Sequence, residues 1–165
     1  MGGIIISKNI LEEEKDVYVK TGIVAPEYNF WVGLVMDKFY DGLENKKFIG
    51  SKCSKCGKVF LPPRKTCGDC FAKAAEEFVE LPETGIVKNF TVANYNVNER
   101  KARKLKEQVI VGLVQVDGAD TAIITKILNI TPDEIKEGMR VKVVWADKIK
   151  GHPKDIKGFE PIGGE

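Results

Sequence analysis

Histidine is almost missing from the sequence. His152 stands alone in the turn Lys150-Gly151-His152-Pro153, with no partner suggested nearby. That scarcity removes the commonest general base. No glycine-rich phosphate loop follows a strand-like run, and no serine sits in a nucleophile elbow. No cysteine lies outside two C-x-x-C pairs, so no free thiol remains as a nucleophile. A catalytic site is not expected. Long apolar runs are also lacking: the longest, Phe30 to Met36, is far too short for a bilayer. Ile4-Ile5-Ile6 has no basic region before it and no cleavage-site pattern after it, so the expectation is a cytoplasmic protein without signal peptide or membrane contact. A strong net charge is missing too.

The formal charge is +2, but it is unevenly spread. Residues 1–45 carry four Lys against eight Asp/Glu. Residues 46–75 carry eight basic side chains against Asp69 alone, a balance of +7. Four thiolates and a zinc ion would lower that balance by about 2. What remains favours an acidic partner or phosphates, or else solubilises a small module with little core.

Against these absences stand Cys53-Ser54-Lys55-Cys56-Gly57 and Cys67-Gly68-Asp69-Cys70. Each C-x-x-C can fold as a tight knuckle that aims both sulfurs at one point. Two facing knuckles present Cys53, Cys56, Cys67 and Cys70 as a tetrahedral set suited to Zn²⁺. A site of four cysteines with no open position holds its metal for folding rather than for chemistry. Iron would use the same sulfurs, and the sequence does not separate the two. Disulfides conflict with a reducing cytosol, and a thioredoxin-type pair would leave two cysteines unexplained. Gly57 suits a knuckle closed at positive φ. Phe71 follows the second pair, so that knuckle is expected to close differently.

Three segments are expected: an arm and amphipathic helix over 1–47, the ribbon over 48–80, and a barrel over 81–165. In the first, Pro26 and Glu27 suit a helix start. Tyr28, Val32, Val35, Phe39 and Leu43 recur at helical spacing, Phe30, Trp31 and Leu34 widen the stripe, and Gly42 and Asn45 mark its end. A stripe so wide beside a small ribbon is read as partly interface, with Tyr28, Trp31, Val35 and Phe39 as candidates. In the ribbon, Val59 and Leu61 alternate with Phe60 as a short strand, and Pro62-Pro63 ends its pairing. Arg64, after the stiff prolines, is a candidate anion contact.

From Glu83 the period changes to two. Strands are expected over 85–97, 109–116, 121–128, 139–145 and 158–162, with Asp117-Gly118 as a hairpin turn. Thr131 and Pro132 read as the N-cap and first residue of a short helical turn. Five strands with a helical turn before the fourth suggest a small OB-like barrel. Residues 98–107 form a basic loop at one barrel mouth, where Arg100, Lys101 and Arg103 are candidates for CoA or anion contact.

The order of helix, C-x-x-C-G, Pro-Pro-Arg, second C-x-x-C and OB-like barrel resembles the zinc-ribbon and OB-fold family of acyl-CoA-associated proteins. The residues that carry the match are Phe39-Tyr40-Asp41-Gly42-Leu43, Cys53, Cys56, Gly57, Pro62, Pro63, Arg64, Cys67 and Cys70. Gly85-Ile86-Val87, Val111-Gly112-Leu113-Val114 and Gly138-Met139-Arg140-Val141 look similar to its strand pattern. The resemblance covers roughly residues 26 to 163. It implies a mainly β fold with an N-terminal helix, a rubredoxin-like zinc ribbon and a five-stranded OB-fold barrel. It also implies a non-catalytic partner of thiolase-fold enzymes. In archaea such proteins look like the bridge between an acetoacetyl-CoA thiolase and hydroxymethylglutaryl-CoA synthase, serving mevalonate and isoprenoid synthesis, with CoA bound at the shared interface. Phe71 departs from the small residue often found after the second cysteine pair. A competing class is a zinc-ribbon and OB-fold protein that binds RNA or single-stranded DNA. The two basic segments favour it, and the near-neutral barrel and few aromatics weigh against it.

Overall fold

A computed structural model describes residues 31–96 and 103–163. Helix α1 spans Leu34–Glu44, with Gly33 as its N-cap. The arm, Pro26, Glu27 and Tyr28 lie outside the described residues. The C-terminal end follows the expectation closely. Asn45 is the C-cap, its backbone N–H donates to the Gly42 carbonyl, and Lys46, left-handed at φ 55°, donates its own to the Leu43 carbonyl. Gly42 stands where the helix presses on the ribbon, since a Cβ there would lie 2.5 Å from Cγ1 of Ile49.

The ribbon sheet has three antiparallel strands: β1 (Phe48–Lys52) at the centre, β2 (Val59–Phe60) on one side and β3 (Glu77–Leu81) on the other. Phe48 faces Leu81 at one end, and Lys52 faces Glu77 at the other. The barrel is closed from β4 (Thr84–Asn96), β5 (Arg103–Val116), β6 (Ile123–Ile127), β7 (Arg140–Trp145) and β8 (Ile156–Pro161), in the order β4-β5-β6-β8-β7. All five expected strands are present. The second begins earlier than expected, however: Arg103 opens β5 rather than belonging to a loop. The turn at Thr131 is a single hydrogen-bonded turn rather than a helix. Its hydroxyl donates to the Glu134 carboxylate at 2.7 Å, and the backbone N–H of Glu134 returns to the Thr131 carbonyl at 3.2 Å.

Alternation explains the barrel. Along β7, Val141 and Val143 are buried between exposed Arg140 and Lys142; along β5, Ile110, Val114 and Val116 point inward. One apolar core joins these residues to Val87, Ile127 and Phe159, and also to Phe39 and Leu43 of α1 and Phe48, Leu61 and Leu81 of the ribbon. The Phe48 ring stacks on Phe159 at 6.1 Å and meets Trp145 at 5.2 Å. Each fully buried Phe or Leu of this set contributes about 1.5–3 kcal/mol. Phe39, at 3% exposure, belongs to this core, so it is not available as the interface residue expected from its place on the stripe. The base of the ribbon is thus held by barrel and helix. Its tip has only a small cluster of Cys53, Phe60, Cys67 and Ala74, too little apolar surface to order a loop pair unaided.

Hydroxyls replace strand pairing where the prolines interrupt it. Ser51, fully buried, accepts from the Arg64 N–H at 2.9 Å and donates to the Arg64 carbonyl at 3.2 Å. On the other side of Pro62-Pro63, the turn between β5 and β6 covers the edge of β2. Asp120 Oδ2 accepts from the Val59 N–H at 2.8 Å, and the Asp120 N–H donates to the Val59 carbonyl at 2.8 Å.

Candidate metal centre

The two knuckles are built by the same bonds. In the first, Gly57 N–H donates to the Cys53 carbonyl at 3.1 Å and Cys53 N–H to the Lys58 carbonyl at 2.8 Å. In the second, Phe71 N–H donates to the Cys67 carbonyl at 3.2 Å and Cys67 N–H to the Ala72 carbonyl at 2.9 Å. Gly57 has φ 75° and Phe71 has φ 57°. The expectation that Phe71 would close its knuckle differently is therefore corrected. The hydrogen-bond frame demands a left-handed residue at this position, and Phe71 supplies it at a cost of about 1–2 kcal/mol that glycine avoids. Its ring makes no compensating contact in the core, since Phe71 is 81% exposed.

The four Sγ atoms lie within 4.8 Å of one another. Cys53 and Cys70 approach to 3.4 Å, and Cys56 and Cys67 to 3.6 Å. Sulfurs bound tetrahedrally to zinc stand about 3.8 Å apart, given Zn–S bonds of about 2.3 Å. A disulfide would need about 2.05 Å, and all four cysteines are free thiols. The set fits a four-coordinate metal and leaves no position for a substrate.

The first cysteine of each pair is the readier thiolate. Cys53 is lowered to about 6, chiefly by the Cys56 N–H, which works against burial. Cys67 is lowered by the N–H groups of Cys70 and then Asp69. The second cysteine is held up. The Lys58 N–H pulls Cys56 downward, but Cys53, burial and the other two sulfurs outweigh it and push the thiol up to about 12. The Ala72 N–H likewise pulls on Cys70, and burial together with Cys53 and Cys67 raises it on balance. Four sulfurs this close do not all ionise without a cation among them, and a dication removes the conflict.

The ribbon's charge is smaller than its sequence implies. Lys47 pairs with Glu80 at 2.8 Å, Lys52 with Glu77 at 3.1 Å, Lys73 with Glu76 at 3.4 Å, and Lys58 with Asp69 across the two knuckles. Three of these acids stand just beyond the segment counted as basic. Among the described residues, Lys46, Lys55, Arg64 and Lys65 keep no acidic partner. The Arg64 guanidinium lies 5.5 Å from the Phe60 ring centroid, and its side chain reaches solvent. Arg100 and Lys101 fall outside the described residues, so Arg64 is not brought together with them.

Of the interface candidates, Trp31 is 77% exposed, Val35 half-buried, and Phe39 enclosed. Leu34, beside Trp31 on the chain, is 72% exposed. His152 caps the short turn Pro153–Asp155 by accepting from the Lys154 N–H at 3.0 Å. Sequence reasoning missed Ser51, Asp120 and Thr121. They carry no local signal, because their partners lie 13 to 61 residues away.

Comparison with known proteins matches residues 41–76 to the ChsH2 rubredoxin-like zinc ribbon domain and residues 78–146 to the ChsH2 C-terminal OB-fold domain. A protein of Methanothermobacter thermautotrophicus named DUF35 domain-containing scaffold protein is 30% identical over 64% of this chain and 76% of its own length. The crystal structure of a DUF35-family protein of unknown function from Sulfolobus solfataricus superposes with a TM-score of 0.55 and 31% identity, over 68% of this chain and 78% of that one. The structure named Ltp2-ChsH2(DUF35) aldolase shares the fold, with a TM-score of 0.58 and 21% identity over 81% of this chain and 98% of that one.

Proposed function

The chain belongs to the DUF35 family of paired zinc-ribbon and OB-fold proteins, and on that premise we propose that it is a non-catalytic scaffold subunit bridging an acetoacetyl-CoA thiolase and a hydroxymethylglutaryl-CoA synthase. Its ribbon and barrel help line a CoA-binding channel between the two enzymes, in the service of mevalonate and isoprenoid synthesis. The observation that carries this reading is the character of the four-cysteine centre. The cluster with metal-binding chemistry among the described residues is closed, with two of its sulfurs on fully buried residues and no open coordination position. The metal then orders a surface rather than performing a reaction. The name scaffold protein carried by the relative agrees with that role. The exposed Trp31, just ahead of α1, and Leu34, its first residue, offer apolar contact to an enzyme surface. Arg64, Lys55 and Lys65 supply positive charge for CoA phosphates or acidic enzyme faces.

The test is reconstitution. The zinc-loaded full chain, the thiolase and the synthase of its own organism are mixed and separated by size, with masses assigned to each peak. One peak containing all three proteins in fixed ratio, unchanged at high salt, is the expected result. Enzymes that elute without the chain overturn the bridge. Nucleic acid retained by the chain and lost steeply with salt would place it in the competing class.

A further inference from the structure

The geometry points to Phe71 as a docking anchor: the tip of the ribbon presents this ring to an apolar pocket with an acidic rim on the partner enzyme. The inference rests on the scaffold reading and deepens it by naming the contact. A singly exposed apolar side chain is ordinary. Ile124, for instance, is 79% exposed but sits in a strand, where its backbone is at ease. Phe71 is exposed to 81%, the most of any large apolar side chain among the described residues, and its backbone is held left-handed at φ 57°. Burial does not explain the ring, and knuckle closure argues against it, because Gly57 makes the same closure in the facing knuckle at φ 75°. Both terms that govern the isolated chain favour glycine at this position. A ring kept against both has its use outside the chain.

The local frame makes Phe71 a rigid projection rather than a loose loop. It stands at the head of a hairpin closed by Ala74 N–H to the Lys65 carbonyl at 2.9 Å, the Thr66–Lys73 bridge, and Cys67 N–H to the Ala72 carbonyl at 2.9 Å. The sulfur cluster locks the head of that hairpin to the first knuckle, and the Lys58–Asp69 pair ties the two loops together. An anchor fixed in advance loses little conformational entropy on binding. The charge of the ribbon chooses the kind of surface. Lys55 in the facing knuckle and Lys65 at the foot of the hairpin are exposed and have no acidic partner among the described residues. A surface that accepts an aromatic ring from a ribbon with such unpaired cations is an apolar pocket bordered by Asp and Glu.

The experiment compares the zinc-loaded full chain with Phe71→Gly and Phe71→Leu in titrations against the purified thiolase and the purified synthase. Phe71→Gly is expected to keep its zinc, to melt at the same or a higher temperature, and to bind one of the two enzymes at least tenfold more weakly. Phe71→Leu recovers part of that loss, and Lys55→Glu with Lys65→Glu weakens the same enzyme. Unchanged affinity in Phe71→Gly overturns the proposal, as does loss of zinc or a lower melting temperature, which would give the ring a role inside the ribbon. A photoreactive phenylalanine analogue at position 71, used in the native cell, separates failure of this contact from failure of the bridge. If neither enzyme binds the wild-type chain, the bridge fails. A crosslink from position 71 to an apolar peptide flanked by Asp or Glu on another identified protein still upholds the anchor. Crosslinks only to lipid, to nucleic acid or to a second copy of this chain, or none, overturn it.

Discussion

The hydroxyl of Thr121 closes both polar groups of Leu61: it accepts from the Leu61 N–H at 2.8 Å and donates to the Leu61 carbonyl at 2.9 Å. One side chain of the barrel thereby serves as the missing strand partner for a ribbon residue that precedes two prolines. Thr121→Val keeps the shape and removes both bonds, leaving a donor and an acceptor of a buried residue unmatched. The expected cost is about 1–3 kcal/mol, a fall in melting temperature of roughly 2–10 °C for a chain of this size. Hydrogen exchange at the Leu61 amide should accelerate while amides of β7 stay protected; equal acceleration of both would contradict this account.

Metal removal addresses the tip. One zinc per chain is expected by elemental analysis, and the protein should be colourless; a red preparation would instead indicate iron in the same sulfurs. Chelation, or Cys53→Ser, should release the knuckles while the barrel core of Val87, Val141 and Phe159 stays folded. Acid should release the metal as well, because the ligands bind only as thiolates. A ribbon that keeps its amide protection after complete metal loss would refute the staple role.

Trp31 separates interface from core. At 77% exposure its ring contributes little to folding, so Trp31→Glu should shift the melting temperature by no more than about 2 °C, a surface-sized effect. The same change should release the enzyme partners in the reconstitution. Phe39→Glu should behave in the opposite way and unfold the chain, since Phe39 is enclosed.

Asp155 makes stability depend on pH. Its buried carboxylate accepts from the His152 N–H at 2.8 Å and the Lys150 N–H at 2.9 Å, and these bonds, that from His152 foremost, hold its pKa below the ordinary value. Asp117 is lowered in the same sense, first by Arg140 and then by Thr84. A carboxyl that is more acidic folded than unfolded stabilises the protein above its unfolded pKa, about 3.9. That stability disappears as pH falls through the folded value. Melting temperature should therefore be flat near neutrality and drop below about pH 4. Asp155→Asn should lower the plateau and flatten the acid limb. An unchanged acid limb in that variant would remove Asp155 from the explanation.

Much of the architecture was legible in the chain because the signals are local. The C-x-x-C spacing dictates two knuckles and a four-sulfur set. Period-two runs bounded by turns such as Asp117-Gly118 dictate the barrel strands, and Gly42 and Asn45 bracket the end of the helix. Errors arose where a local pattern has two tertiary outcomes. Phe39 and Trp31 share one stripe in the sequence pattern, but the helix begins only at Leu34, so Trp31 stands ahead of it and exposed while the packing of α1 encloses Phe39. The ribbon segment alone carries a strong positive balance, whereas Glu76, just before β3, and Glu77 and Glu80 on it pair with three of its lysines.

By itself, then, the sequence determined the four-cysteine set, the order of modules and the barrel strands, since spacing and alternation are properties of neighbouring residues. The tertiary structure alone decided the rest. It placed Thr121 and Asp120 on an edge of the ribbon some sixty residues distant, merged helix, ribbon base and barrel into one core, and set Phe71 left-handed and outward at the tip. Each of these depends on where separate segments meet, and long-range contact is written in no single stretch of the chain.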